Sequence, residues 1–140
     1  IGSSGAGPIA PDTPVEALRA AIEPVTRATP PLDLTFGAPQ RFIGREIVVL
    51  PLTPHGPLRA LHEALKASGI RYETARWPFT PHATLNFYAT LTTESLAALL
   101  AVREPGPWRL HTLRVYHTRD GVKPRLLFDA PLGDGAEASR

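Results

Sequence analysis

The sequence predicts an α+β fold, with helices packed on mostly antiparallel sheet, and three observations carry that prediction. Stretches with apolar residues recurring every three or four positions are interleaved with stretches that alternate apolar and polar residues. Sixteen prolines and eleven glycines punctuate the chain between these stretches. No repeat of fixed period suggests a solenoid. The expected order is helix, strand, strand, helix, strand, helix, strand, strand, which is an α+β rather than an alternating parallel pattern.

The opening "IGSSGAGPIAPD" reads as a loop leading into a helix. Thr13-Pro14-Val15-Glu16 has the form of a capping box with Pro at the first helical position, and Val15, Leu18 and Ile22 fall on one face. Pro24 and the following "ATPP" should end this helix. "LDLTF", Leu32 to Phe36, alternates and is closed by Gly37, whereas "EIVVLPL", Glu46 to Leu52, is continuously apolar and should be central. The short link "GAPQRFIGR" between them favours an antiparallel hairpin.

After the "TPHGP" loop, a second helix is expected over about Pro57 to Ala67, with Leu58, Leu61 and Leu65 as its buried stripe and Ser68-Gly69 as its stop. A strand at His82 to Tyr88 follows Pro78 and Pro81. A third helix runs from a Thr92 or Thr93 cap to Val102. Trp108 to Thr118 and Pro124 to Leu132 then pair across an Asp120-Gly121 turn. Residues 1–132 are expected to form one domain, and "GDGAEASR" a flexible tail over 133–140.

Composition bounds the function. A chain of 140 residues can bury roughly 70% of its unfolded surface, enough for one real core. Its apolar share is 43% and its charged share 20%, and no apolar run approaches the roughly 18 residues a membrane span needs. No membrane partner is expected. The net charge of +2 permits a locally basic groove but does not demand nucleic acid. The absence of cysteine excludes disulfides, a thiolate nucleophile and sulfur-liganded zinc, and fits a reducing, cytoplasmic setting. A monomer is the default. The chain contains no methionine and starts at Ile1, so the expectation is that natural sequence lies upstream.

The candidate chemistry centres on "RWPFTPHATLNFY". On a strand, residues two apart share a face, which would set His82 beside Thr84 and turn Ala83 and Leu85 to the core. An imidazole can give or take a proton near neutral pH, and a neighbouring hydroxyl can donate to a phosphate oxygen as charge builds there. One such pair supplies a single proton-transfer group, whereas cleaving a phosphodiester by acid–base chemistry needs two. By itself the tripeptide is close to what chance gives in a chain with five histidines, and it also reads as a solvated strand face.

The longer string "PFTPHATL", with a leucine-striped helix upstream, resembles the second signature motif of the 2H phosphoesterases, which include 2′-5′ RNA ligase-like proteins and RNA 2′,3′-cyclic phosphodiesterases. The resemblance covers most of the chain, including the "LDLTF" strand, an aromatic at Phe42 and the "IVVLPL" strand. It implies a two-lobed fold in which each half supplies one His-x-Thr/Ser across a groove. His82 would then be one of two acid–base histidines and Thr84 a phosphate-oxygen donor, with no metal or other cofactor. The implied partner is RNA or a nucleotide carrying a cyclic phosphate or a 2′-5′ linkage.

None of His55, His62, His111 and His117 is followed two places later by Thr or Ser. The expectation is that an N-terminal strand, helix and first motif are missing here; the alternative is a non-catalytic RNA- or nucleotide-binding module of the same fold. Asn86-Phe87 departs from the arginine that many cyclic phosphodiesterase members carry after the second motif. Arg76 could supply that charge, and Phe79 is a further substrate-binding candidate; Phe79, Tyr88 and Tyr116 could stack on a base or simply pack. His62 reads as solvated on a surface helix and His55 as a loop residue. His111 and His117 share a strand face if no bulge intervenes.

Overall fold

The computed structural model describes residues 8–42, 46–76, 78–86, 91–104, 106–119 and 122–133. The N-terminal Gly/Ser segment, Tyr88, the Asp120-Gly121 turn and tail residues 134–140 lie outside them. The element order is α1 (Val15–Arg27), β1 (Leu32–Phe36), β2 (Gln40–Arg41), β3 (Val48–Thr53), α2 (His55–Lys66), β4 (His82–Thr84), α3 (Thr93–Leu100), β5 (Trp108–Leu110), β6 (Thr112–Arg119) and β7 (Val122–Pro131). Every strand pairing with a defined register is antiparallel. The class is α+β, as the sequence predicts. The chain divides into two compact units, residues 1–32, 59–79 and 110–140 in one and 33–58 and 80–109 in the other.

In the first unit, α1 packs on the β6–β7 hairpin. Leu18, Ile22, Phe128 and Ala130 are its buried core, flanked by Ile9, Leu65, Ile70, Leu113, Val115 and Leu127. The helix starts later than the capping box predicts. Thr13 Oγ1 donates to the Ala10 carbonyl at 2.7 Å and Pro14 takes the cap position without a side-chain bond. The helix also runs through Pro24 to Arg27, because Pro24 removes only one donor while the last turn is held by Thr26, buried and donating to the Glu23 carbonyl at 3.1 Å. Gly133 crosses this helix end so closely that a Cβ there would overlap the Arg27 carbonyl, and its N–H donates to the Thr26 carbonyl at 2.8 Å.

In the second unit, β3 is central. Its one edge pairs with β1 (Phe36 opposite Leu52) and then with β2 (Gln40 opposite Val49), and its other edge with β4. The register advances four residues on β1–β2 for three on β3, a bulge at 37–39 where Gly37 lets the chain approach the Pro51 ring and donates to its carbonyl at 2.8 Å. Part of the expected link is therefore strand. Val48, Val49 and Leu50 are all buried, which explains their uninterrupted apolar run. The third helix packs against β3, and its Thr92 cap forms a capping box with Ser95.

Other expectations shift. The second helix starts at His55, so that His55 is not a loop residue, and the prolines at its start cost nothing where the first N–H groups have no partner. Leu58, Leu61 and Leu65 are half-buried rather than buried, and Gly69, with φ +94°, stops the helix. The strand foreseen over Trp108 to Thr118 breaks at His111 because its halves join different sheets, β5 with β1 and β6 with β7. His111 thus sits at the break, and bulges interrupt the hairpin, so the shared face with His117 is not formed as expected.

Candidate functional site

Three backbone pairings fix the candidate strand: Val49 opposite Thr84, Leu50 opposite Ala83 and Pro51 opposite His82. Leu52 N–H donates to the Pro81 carbonyl at 3.1 Å and Leu85 N–H to the Val48 carbonyl at 2.9 Å, closing the ladder at both ends. Directly opposite residues share a sheet face, and residues two apart return to it. One face therefore carries His82 and Thr84 of β4, Thr53 of β3, Gln40 of β2, and Thr35 and Asp33 of β1. The opposite face carries Leu34, Leu50, Leu52 and Ala83. Pro51 and the buried Val49 of β3 share the first face with His82, so polar and apolar side chains lie together on it, and Arg41 falls on the opposite face with the leucines.

The His82 ring is exposed but held. Its Nδ1 lies 2.6 Å from the Thr80 carbonyl oxygen. A carbonyl only accepts, so this bond places the proton on Nδ1 and leaves the Nε2 lone pair available. Phe42, from the end of β2, meets the ring edge-on with centroids 5.2 Å apart and planes at 82°. Two contacts thus set the direction of Nε2. Thr84 is half-buried, and among the described residues its hydroxyl has no hydrogen-bond partner. The separation along the strand is roughly 7 Å for two residues, a span that a tetrahedral anion with its oxygens can bridge.

Asn86 has a role its sequence position did not reveal. Its Oδ1 accepts from Val48 N–H at 2.8 Å and its Nδ2 donates to the Glu46 carbonyl at 2.8 Å. The side-chain amide replaces a strand residue and clamps the start of β3 just beyond Thr84. At the far side of the sheet, Arg109 Nη1 lies 3.0 Å from both carboxylate oxygens of Asp33, and Thr35 and Thr53 share a hydroxyl hydrogen bond of 2.9 Å. The alternation of β1 marks Asp33 and Thr35 as outward-facing; nothing in the sequence marks Thr53 or the Asn86 clamp.

Arg76 and Phe79 fall in the first unit, whereas His82 and Thr84 fall in the second. Arg76 is exposed. Phe79 is half-buried and stacks on His62, with centroids 4.0 Å apart and planes at 12°. The solvated reading of His62 is therefore corrected: it is half-buried, and the chain returning after Gly69 lays the Phe79 ring on it. Tyr116 is exposed on β6.

A family model described as the 2′-5′ RNA ligase superfamily matches residues 6–122. The chain belongs to this superfamily, the 2H phosphoesterases. No curated protein and no solved structure gives a significant match. The superfamily is one of phosphoesterases and ligases, and an oriented histidine on the same sheet face as a threonine hydroxyl that has no hydrogen-bond partner among the described residues is chemistry that suits it. Among the described residues no helix is long and apolar enough to cross a membrane.

Proposed function

We propose that the protein is a metal-independent phosphodiesterase acting on RNA 2′,3′-cyclic phosphate or 2′-5′ linked ends, with His82 as one acid–base group and Thr84 as a phosphate-oxygen donor. The observation that carries this reading is the Nδ1 bond of His82 to the Thr80 carbonyl, which presents Nε2 from the same face as the Thr84 hydroxyl. In opening a cyclic phosphate, a water oxygen attacks phosphorus and the bond to one ribose oxygen breaks. The water proton passes to a base, and the departing ribose oxygen takes a proton from an acid. His82 Nε2 performs one transfer. The other belongs to the second His-x-Thr/Ser that the family resemblance implies. Thr84 Oγ1–H donates to a non-bridging oxygen whose charge grows in the transition state. Phe79 and Arg76 are proposed as contributors to substrate binding, Phe79 through its ring and Arg76 through its charge.

The test is hydrolysis of a 2′,3′-cyclic phosphate-terminated RNA by the full-length protein, with and without EDTA. His82→Ala should lower kcat by about 10²- to 10⁴-fold, the usual contribution of acid–base catalysis. Thr84→Val should lower it by about 10²-fold, with Thr84→Ser retaining most of the rate. A bell-shaped pH–rate profile and full activity in EDTA are expected. Full activity in His82→Ala sinks the reading. RNA binding without turnover by the unmodified protein replaces it with the non-catalytic binding module.

A further inference from the structure

The β6–β7 hairpin outruns its own core. Its proximal half pairs Leu113 with Ala130 and Val115 with Phe128, apolar residues that face α1. Beyond a bulge that leaves Leu127 unpaired, the pairs become Tyr116 with Leu126, His117 with Arg125 and Arg119 with Val122. Beyond that bulge Arg125 stands opposite His117, and past a second irregularity Arg119 stands opposite Val122. The ribbon thus changes from buried apolar pairs at its proximal end to exposed and largely basic residues at its distal end. Lys123, two residues from Arg125 on β7, adds to the same end, and Arg119, Lys123 and Arg125 are all exposed.

Among the described residues, none of the side chains of Arg119, Lys123 and Arg125 makes an ion pair or a hydrogen bond, whereas Arg114, nearer the core, is paired with Asp129 at 3.2 Å. Between positions 114 and 125 the chain has four basic side chains, Arg114, Arg119, Lys123 and Arg125, against the single acidic Asp120. The whole ribbon, with four basic residues against Asp120 and Asp129, carries a net +2, as much as the entire chain, and three of its cations fall in the distal stretch 117–125. Neighbouring like charges on a two-stranded ribbon repel, and extended ribbons beyond a core gain little from packing. A polyanion with charges spaced along a strand relieves that repulsion, as a compact carboxylate or a lone phosphate would not.

We infer that the distal end of the β6–β7 hairpin binds the phosphate backbone of single-stranded RNA through Arg119, Lys123 and Arg125. The inference rests on the proposed RNA substrate, and it adds a contact that reads charge rather than base identity. Such contacts release counterions, about 0.7 per phosphate on a single strand, and this fixes the measurement.

Binding of a short labelled single-stranded RNA to the full-length protein is followed by anisotropy from about 50 to 200 mM salt. The triple variant R119Q/K123Q/R125Q should bind at least about tenfold more weakly at the low-salt end, with a slope of log K against log salt shallower by about 2. The variant R119K/R125K, which keeps every charge, should retain both values to within a few-fold and guards against loss of fold. Turnover of a 2′,3′-cyclic mononucleotide, which lacks the strand, should be unchanged in the triple variant. An unchanged slope overturns the inference, as does a triple variant that loses binding to vesicles containing anionic lipid but not to RNA. Absence of turnover in the unmodified protein strikes the proposed function instead, leaving the salt slope to judge the hairpin.

Discussion

The two compact units of this chain carry their charge and their cores in different ways. The first builds its core between a helix and one half of a long hairpin, and leaves the other half basic and uncovered. The second surrounds one strand, β3, with partners on both edges, so that Val48, Val49 and Leu50 are all buried in succession. A three-residue strand such as β4 would have no stability alone. Laid against a central strand it becomes a fixed platform, and positions a histidine and a threonine on one face. The comparison separates two ways of meeting an anion: a rigid pair that can do chemistry, and an extended ribbon that can only attract.

The largest effect on that contrast should come from Phe128. It is 5% exposed at the centre of the first unit's core, with the Arg19 guanidinium 4.7 Å from its ring centroid. Phe128→Ala should cost about 3–5 kcal/mol, the range for deleting a buried aromatic ring. Amide exchange should accelerate more in α1 and β7 than in β3. Equal acceleration everywhere would show that the two units open together, and would erase the distinction drawn between them.

Asn86 tests the second unit in the same way at smaller scale. Removing its amide leaves Val48 N–H and the Glu46 carbonyl without their 2.8 Å partners, and Asn86→Ala should cost about 1–3 kcal/mol, chiefly for the N–H of the buried Val48, since the Glu46 carbonyl is exposed to water. Turnover should fall with stability, because the clamp adjoins Thr84. Asn86→Asp should restore only part of the loss, since a carboxylate can still accept from Val48 N–H but cannot donate to the Glu46 carbonyl. A urea midpoint within error of the unmodified protein in both variants would show that β3 holds β4 without help.

These two tests fall on different sides of what the sequence discloses. Alternation revealed β1, an apolar run revealed β3, and the spacing of His82 and Thr84 placed them on one face, because strand periodicity is a local property. The break at His111 was not legible, since both halves of Trp108 to Thr118 alternate and only their partners differ. Asn86 was read as a departure from the family pattern because a side-chain clamp depends on a neighbour 38 positions away. The His62–Phe79 stack was hidden for the same reason, being made by the return of the chain after a helix. The Thr13 cap is not formed because the helix begins one residue later, with Pro14 at the cap position, and the Thr13 hydroxyl instead donates back to the Ala10 carbonyl.

The smallest effect expected lies with Asp12 and Arg71, whose 2.7 Å ion pair joins the N-terminal segment to the strand-like stretch after α2. The hydrogen bond from Arg71, and next its charge, hold the Asp12 carboxyl below its ordinary pKa of 3.8. The folded protein therefore binds this proton less readily than the unfolded chain. The stabilisation is complete above the ordinary value and is lost as pH falls through the lowered one. Both side chains are well exposed, so solvent and salt screen the pair. Asp12→Asn should leave the urea midpoint near pH 7 only slightly lower, with the gap closing as pH drops below about 3.8 and also as salt is raised. A gap that widened on acidification would mean that Asp12 is better accommodated protonated, reversing the sign assigned to this contact.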